Sequence, residues 1–140
     1  MITVNKGVAH PWQCDVLGHL TTRFYTAMFD DAAYHFLHHL FGWSGATDDA
    51  GELGWVDVRH TIDYEAEVQA GDLLEVRAEL VRVGGKSVTV SYEMINLGSE
   101  QVAATLECVA VLFDLKERRA VTIPDDLRAE AQKHVKADFV

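Results

Sequence analysis

The run from Thr22 to Leu40 places Phe24, Tyr25, Met28, Phe29, Ala32, Ala33, Phe36, Leu37 and Leu40 three and four residues apart. That spacing predicts an α-helix. The apolar positions cover more than one narrow stripe, so the helix needs neighbours on several sides. Arg23, Asp30 and Asp31 interrupt the run, which excludes a membrane span. Whatever else the chain forms must therefore supply enough apolar surface to surround one helix.

The period changes to two from Trp55 onward. Val56, Val58, Ile62 and Tyr64 alternate with Asp57, Arg59, Thr61, Asp63 and Glu65. After a turn at Gly71-Asp72, Leu74, Val76, Ala78 and Leu80 share one face, with Glu75, Arg77 and Glu79 on the other. Gly84-Gly85 marks a hairpin. Val88, Val90, Tyr92 and Met94 continue the pattern, and Asn96 to Glu100 turns again. Gln101 to Leu115 reads as a long apolar strand whose central stretch is covered on both faces. Ile2 to His10 reads as a first strand closed by Pro11, and Gly42 to Gly54 as a loop. Pro124 suits the start of a polar C-terminal helix ending near Lys136. Strand, long helix and a four-strand meander have a simple joint solution: an antiparallel sheet curled around the helix, an α+β fold. One curled sheet leaves open edges, so pairing of two subunits is expected.

The stretch Cys14-Asp15-Val16-Leu17-Gly18-His19-Leu20-Thr21-Thr22 leads into that helix. Gly18 can adopt backbone conformations closed to other residues. Thr21 or Thr22 can cap the first turn by accepting a hydrogen bond. A carboxylate, an imidazole and free N–H groups thus converge on a helix N-terminus, which favours negative charge. Acyl-transfer chemistry needs this combination, because a developing oxyanion must be stabilised. An ordinary capped loop is the competing interpretation.

The 140 residues suffice for one domain, residues 1–140, with its own core. A net charge of −10 argues against nucleic acid and against an anionic membrane surface. Met1 to Val8 has neither a basic lead nor a long apolar run, so no secretory signal is expected. Cys14 and Cys108 lack metal-type spacing and read as free thiols of a cytoplasmic protein. Asp31, His35 and His39 recur every four residues, with His38 close by, but no zinc-enzyme signature accompanies them. A solvated helix face is the reading, and no metal or other cofactor is expected.

The element order and the motif Asp15-Val16-Leu17-Gly18-His19-Leu20-Thr21-Thr22-Arg23-Phe24-Tyr25 together resemble the hotdog-fold acyl-CoA thioesterases of the 4-hydroxybenzoyl-CoA thioesterase type. Ile62-Asp63-Tyr64 before Gly71-Asp72, and Arg82-Val83-Gly84-Gly85-Lys86-Ser87, extend the resemblance over nearly the whole chain. Many members carry two Asn where this chain has Thr21 and Thr22, which puts the family's polar contacts from those positions in doubt. The resemblance implies hydrolysis of an acyl-CoA thioester by a homodimer or homotetramer. It makes Asp15 the general base or nucleophile and the Gly18 and His19 N–H groups the oxyanion donors. It sets the site at a subunit interface.

Trp12, Thr22, Tyr25 and Trp55 are then candidates for the acyl pocket, with Met28 beside them, although aromatic and Met residues near a helix are more often core. His60 shares a strand face with Val58 and Ile62. It reads first as a core histidine and second as a pocket residue reaching across the interface, with Thr61 a weaker candidate. Arg59, Arg82, Lys86, Arg118 and Arg119 are candidates for the coenzyme A phosphates. A non-catalytic acyl-CoA-binding module and a hotdog hydratase or dehydratase are the alternatives, since fold does not fix function.

Overall fold

The structure, a computed structural model, describes residues 1–44 and 52–135. The elements are β1 (Ile2–Val8), a single 3-10 turn (Pro11–Gln13), α1 (Thr22–Phe41), β2 (Leu53–Tyr64), β3 (Leu73–Val83), β4 (Ser87–Asn96), β5 (Gln101–Asp114), β6 (Arg119–Ala120) and α2 (Asp125–Gln132). The strands form one antiparallel sheet in the order β1-β3-β4-β5-β2, with β6 added to β5, and α1 packs against the sheet. Part of the expected loop between Gly42 and Gly54 falls outside the described residues, and α2 ends at Gln132, short of the end expected near Lys136.

The chain divides into two compact units. The first comprises Met1–Phe36, Ile62–Ala78 and Tyr92–Leu106, and the second Leu37–Thr61, Glu79–Ser91 and Glu107–Val140. In the first unit the helix buries Tyr25, Met28, Phe29, Ala32, Ala33 and Phe36. Phe29 and Phe36 both meet the Tyr92 ring of β4 edge-on, with centroids 6.3 Å away. Burying a side chain of this size contributes about 1.5–3 kcal/mol. Gly7 lets the helix come close to β1: a Cβ there would lie 3.3 Å from Met28 Sδ. In the second unit Phe41 stacks on Trp55 at 4.7 Å. Arg128 of α2 donates to the Gly84 and Gly85 carbonyls at 2.8 and 3.0 Å, fastening α2 to the β3–β4 hairpin.

The alternation in β3 and β4 is as expected, with Leu74, Val76, Ala78, Leu80, Val88, Val90, Tyr92 and Met94 all buried. Two strands differ. In β5 only one face is fully buried, through Leu106, Cys108, Ala110 and Leu112; Val109 and Val111 on the other face are half-covered. In β2 the apolar positions Val56, Val58 and Tyr64 are exposed, while Trp55 is buried. β2 ends the sheet and leaves one hydrogen-bonding edge unpaired there among the described residues.

Candidate active site

The site is built in the first unit, on a ledge that the Gly71-Asp72 turn sets. Gly71 has a φ of +93°, a backbone state that favours glycine. Asp72 Oδ2 accepts the Gln69 N–H at 2.8 Å and the Asn96 side-chain amide at 2.9 Å. Hydrogen bonds to a charged group of this kind contribute about 1.5–3 kcal/mol each. Residues 68–70 are thereby fixed. Leu20 N–H then donates to the Val68 carbonyl at 2.8 Å, and Ala70 N–H to the Gly18 carbonyl at 3.3 Å. The other flank of the loop is tied by Thr21, whose N–H and hydroxyl both donate to the Gln13 carbonyl, at 3.0 and 2.9 Å. The Thr21 hydroxyl thus points back to the 3-10 turn, where a capping role would have it accept an N–H of α1.

Between these anchors Asp15 to His19 form a closed turn. Asp15 N–H donates to the His19 carbonyl at 2.9 Å, and Gly18 N–H to the Asp15 carbonyl at 3.0 Å. Gly18 makes the reversal with a φ of +79°. Asp15 Oδ1 accepts the Leu17 N–H at 2.9 Å and, at a longer 3.3 Å, the His19 N–H. Oδ2 accepts no hydrogen bond among the described residues. The carboxylate is therefore oriented through one oxygen and available through the other. The turn also lifts Val16 and Leu17 into solvent, at 101% and 74% exposure.

A cavity of about 330 Å³ lies beside the turn, lined by His19, Leu20, Thr22, Tyr25, Tyr64, Glu65, Ala66, Glu67 and Val68. His19 Nε2 is 3.5 Å from Glu67 Oε2, which orients the imidazole along the wall. Tyr25 and Tyr64 meet edge-to-face at 5.1 Å. Burial pushes the Tyr25 phenol above its usual range, and nearby Tyr64, Asp72 and Cys14 push the same way, so it stays a protonated donor at neutral pH. Thr22 opens α1, so the positive end of the helix dipole meets the cavity wall.

The candidate residues divide accordingly. His19, Thr22 and Tyr25 share the cavity, and Asp15 and Gly18 lie in the adjoining turn. Trp12 is on the surface, stacked on His10 at 5.7 Å and edge-on to Phe24. Trp55 is buried under Phe41. Arg59, Arg82 and Lys86 are exposed residues of the second unit, and none of them lines the cavity. His60, also in the second unit, bonds Asp57 at 2.9 Å, and its side chain is about a quarter exposed, so it is not a core histidine. Sequence reasoning misses Tyr64, Glu65, Glu67 and Val68 as cavity residues, although Tyr64 closes the motif Ile62-Asp63-Tyr64 and the other three sit between it and Gly71-Asp72. Polar residues between two fixed points that converge on one loop are the signal that would have found them. Neither cysteine is in a disulfide, as expected. No described helix is long and apolar enough to cross a membrane.

Known proteins bear directly on this arrangement. A sequence model of the family described as the thioesterase-like superfamily matches residues 9–131. The chain is 28% identical over 126 residues to the long-chain acyl-CoA thioesterase FadM of Escherichia coli, covering 89% of this chain and 93% of that one. Its fold superposes on SAV2348 of Staphylococcus aureus, solved in complex with CoA, with a TM-score of 0.85 at 15% identity, over 99% of this chain and 89% of that one. It also superposes on Slr0204 of Synechocystis, a 1,4-dihydroxy-2-naphthoyl-CoA thioesterase, with a TM-score of 0.77 at 19% identity, over 91% of this chain and 93% of that one.

Proposed function

The chain belongs to the thioesterase-like superfamily, with its hotdog fold, and on that premise we propose that it hydrolyses an acyl-CoA thioester to a carboxylic acid and free coenzyme A. The observation that carries this reading is the Asp15 carboxylate. One oxygen is held by two N–H groups of its own turn and the other is left open, and the same turn ends at His19, which lines the cavity that Asp15 itself adjoins without lining. Binding a thioester needs no such carboxylate; cleaving one needs a base or nucleophile, a part that an open carboxylate oxygen can fill.

In this reading Oδ2 of Asp15 either takes a proton from the attacking water or attacks the thioester carbon itself. Attack drives negative charge onto the thioester oxygen. The His19 N–H is the donor best placed to receive it. Its bond to Asp15 Oδ1 is the longer of the two, so it is the one most readily surrendered to substrate. The Gly18 N–H already serves the Asp15 carbonyl, so it acts mainly by holding the turn. The dipole of α1 adds a favourable field at the same place. With Asp15 as base, collapse expels coenzyme A as a thiolate that takes the proton held by Asp15; with Asp15 as nucleophile, collapse leaves a mixed anhydride on Asp15, which water hydrolyses to the carboxylic acid while its proton goes to the thiolate.

Leu20, Tyr25, Tyr64 and Val68 give the cavity an apolar wall for the acyl group. Glu65 and Glu67 on the same wall repel phosphate, so the coenzyme A phosphates lie elsewhere. The exposed Val16 and Leu17 of the turn, and the exposed Val56 and Val58 on edge strand β2, are surfaces that a second copy would cover. A homodimer with β2 edges paired is therefore part of the proposal, and two dimers can assemble further into a tetramer. Free thiols at Cys14 and Cys108 fit a reducing compartment such as the cytoplasm. The test is a thiol-release assay over short, long, branched, charged and aromatic acyl-CoAs, with acyl-carrier-protein thioesters as a second arm. Release well above the uncatalysed rate for at least one acyl-CoA supports the reading. Tight binding of acyl-CoA without release would make the protein a binding module instead.

A further inference from the structure

We propose that Asp57, His60 and Cys108 form a divalent-cation site of the zinc class. The inference is independent of the thioesterase reading, because none of the three residues lines the cavity at His19. His60 Nε2 lies 2.9 Å from Asp57 Oδ2, and the Cys108 thiol reaches Asp57 Oδ1 at 3.4 Å. One carboxylate thus gathers a nitrogen and a sulfur on its two oxygens. The nitrogen, the sulfur and one carboxylate oxygen all lie within 4.8 Å of one another. Tetrahedral zinc, with bonds of about 2.0–2.3 Å, holds neighbouring donors about 3.3–3.7 Å apart. Each pair therefore needs to shift by about 1 Å or less.

The donor types decide which cation fits. One thiolate, one imidazole and one carboxylate suit zinc or cobalt, whereas calcium and magnesium take oxygen donors throughout. The setting is also right for a site. Asp57 and His60 are on β2 and Cys108 on its sheet neighbour β5, so the ligands ride on regular strands. Cys108 is buried at 3% exposure and forms a dry floor. The Asp57 and His60 side chains keep 31% and 28% of their surface, which leaves an entrance and a fourth position for water. Binding converts the Cys108 thiol to thiolate and releases its proton to solvent. The metal replaces both the S–H···O and the N–H···O bond: the Nε2 proton that faces Asp57 leaves to solvent, and the neutral ring carries its one proton on Nδ1 while Nε2 binds.

The chelator-treated, reduced full-length chain should be titrated with Co2+ as an optical probe. The site predicts one Co2+ per chain, with a near-ultraviolet thiolate-to-cobalt charge-transfer band and intense tetrahedral visible bands that Zn2+ abolishes by displacement. Cys108→Ser should remove the charge-transfer band, and Cys14→Ser should keep it. Asp57→Asn and His60→Gln alter partly exposed side chains and spare the buried one, so they carry the test if Cys108→Ser does not fold. Each should weaken Co2+ binding by at least ~10-fold. A missing thiolate band, a band that survives Cys108→Ser, or unchanged Co2+ affinity in both Asp57→Asn and His60→Gln would overturn the proposal. The three residues would then be a hydrogen-bond chain only.

Discussion

Asp15 Oδ1 accepts the backbone N–H of His19 at 3.3 Å, so the proposed catalytic carboxylate and the imidazole on the cavity wall come from opposite ends of one turn. Their spacing depends on how that turn is closed, and Gly18 closes it with a φ of +79°.

Gly18→Ala should therefore disturb catalysis more than folding. No atom lies within 4 Å of the position a Cβ would take, so the cost is in the backbone alone, about 1–2 kcal/mol for a left-handed non-glycine residue. The melting temperature should fall by a few degrees. The turnover number should fall at least ~10-fold, because displacing a reacting group by an ångström is costly. Steady-state kinetics and a melting curve on the same preparation check both.

The dimer part of the account is tested on β2. Val58 is 59% exposed in one chain, so Val58→Asp meets no packing penalty there. In a dimer paired along β2 it buries two like charges near the seam. Sedimentation at micromolar concentration should show a shift from dimer toward monomer, with activity falling in step. A wild-type protein that sediments as a fully active monomer would contradict the account.

Much of this was legible from the sequence, for reasons that individual residues make plain. The helix could be read because Phe24 to Leu40 keeps a helical period, and its observed span, Thr22–Phe41, agrees to a residue. β3 and β4 could be read because buried apolar positions alternate with charged residues in β3 and mainly with polar ones in β4. The Asp15 turn could be placed because Gly18 needs a positive φ just before a helix. β6 is two residues long and carries no pattern of its own. The direction of the Thr21 hydroxyl depends on the Gln13 carbonyl, which propensity cannot anticipate. The edge position of β2 is a property of sheet order, and neither it nor the exposure of Val56 and Val58 is recorded in the periodicity. Cys108 meets Asp57 across 51 residues of sequence, so no local motif marks the cluster.

Tyr25 contributes to the loss of stability at alkaline pH. Its phenol is raised in the folded state, chiefly by burial. Below the unfolded pKa near 10, both states hold the proton and nothing is lost. Above it the unfolded chain releases the proton first, so stability falls as pH rises. Tyr25→Phe should flatten the decline in melting temperature between about pH 9 and 11. An unchanged slope would show that other groups govern it.

Hydrolysis should not depend on a metal ion. The proposed chemistry uses Asp15, the His19 N–H and water, and the cation site proposed at Asp57, His60 and Cys108 takes no part in it. Exhaustive chelation should leave kcat unchanged within error. Loss of activity restored by zinc would join the two sites and contradict this.

The central claim is that Asp15 does chemistry through Oδ2 while Oδ1 holds the turn. Asp15→Asn separates the two roles. The amide has nearly the same volume, and its oxygen can still accept the Leu17 and His19 N–H groups. It cannot serve as an effective base or as a carboxylate nucleophile. The decisive measurement is kcat for Asp15→Asn against wild type on the best acyl-CoA, with melting temperature and binding of an inert substrate analogue recorded alongside. The account predicts a loss of about 100- to 10,000-fold in kcat, with melting temperature and binding little changed. A folded Asp15→Asn protein that turns over within a factor of a few of wild type would contradict it.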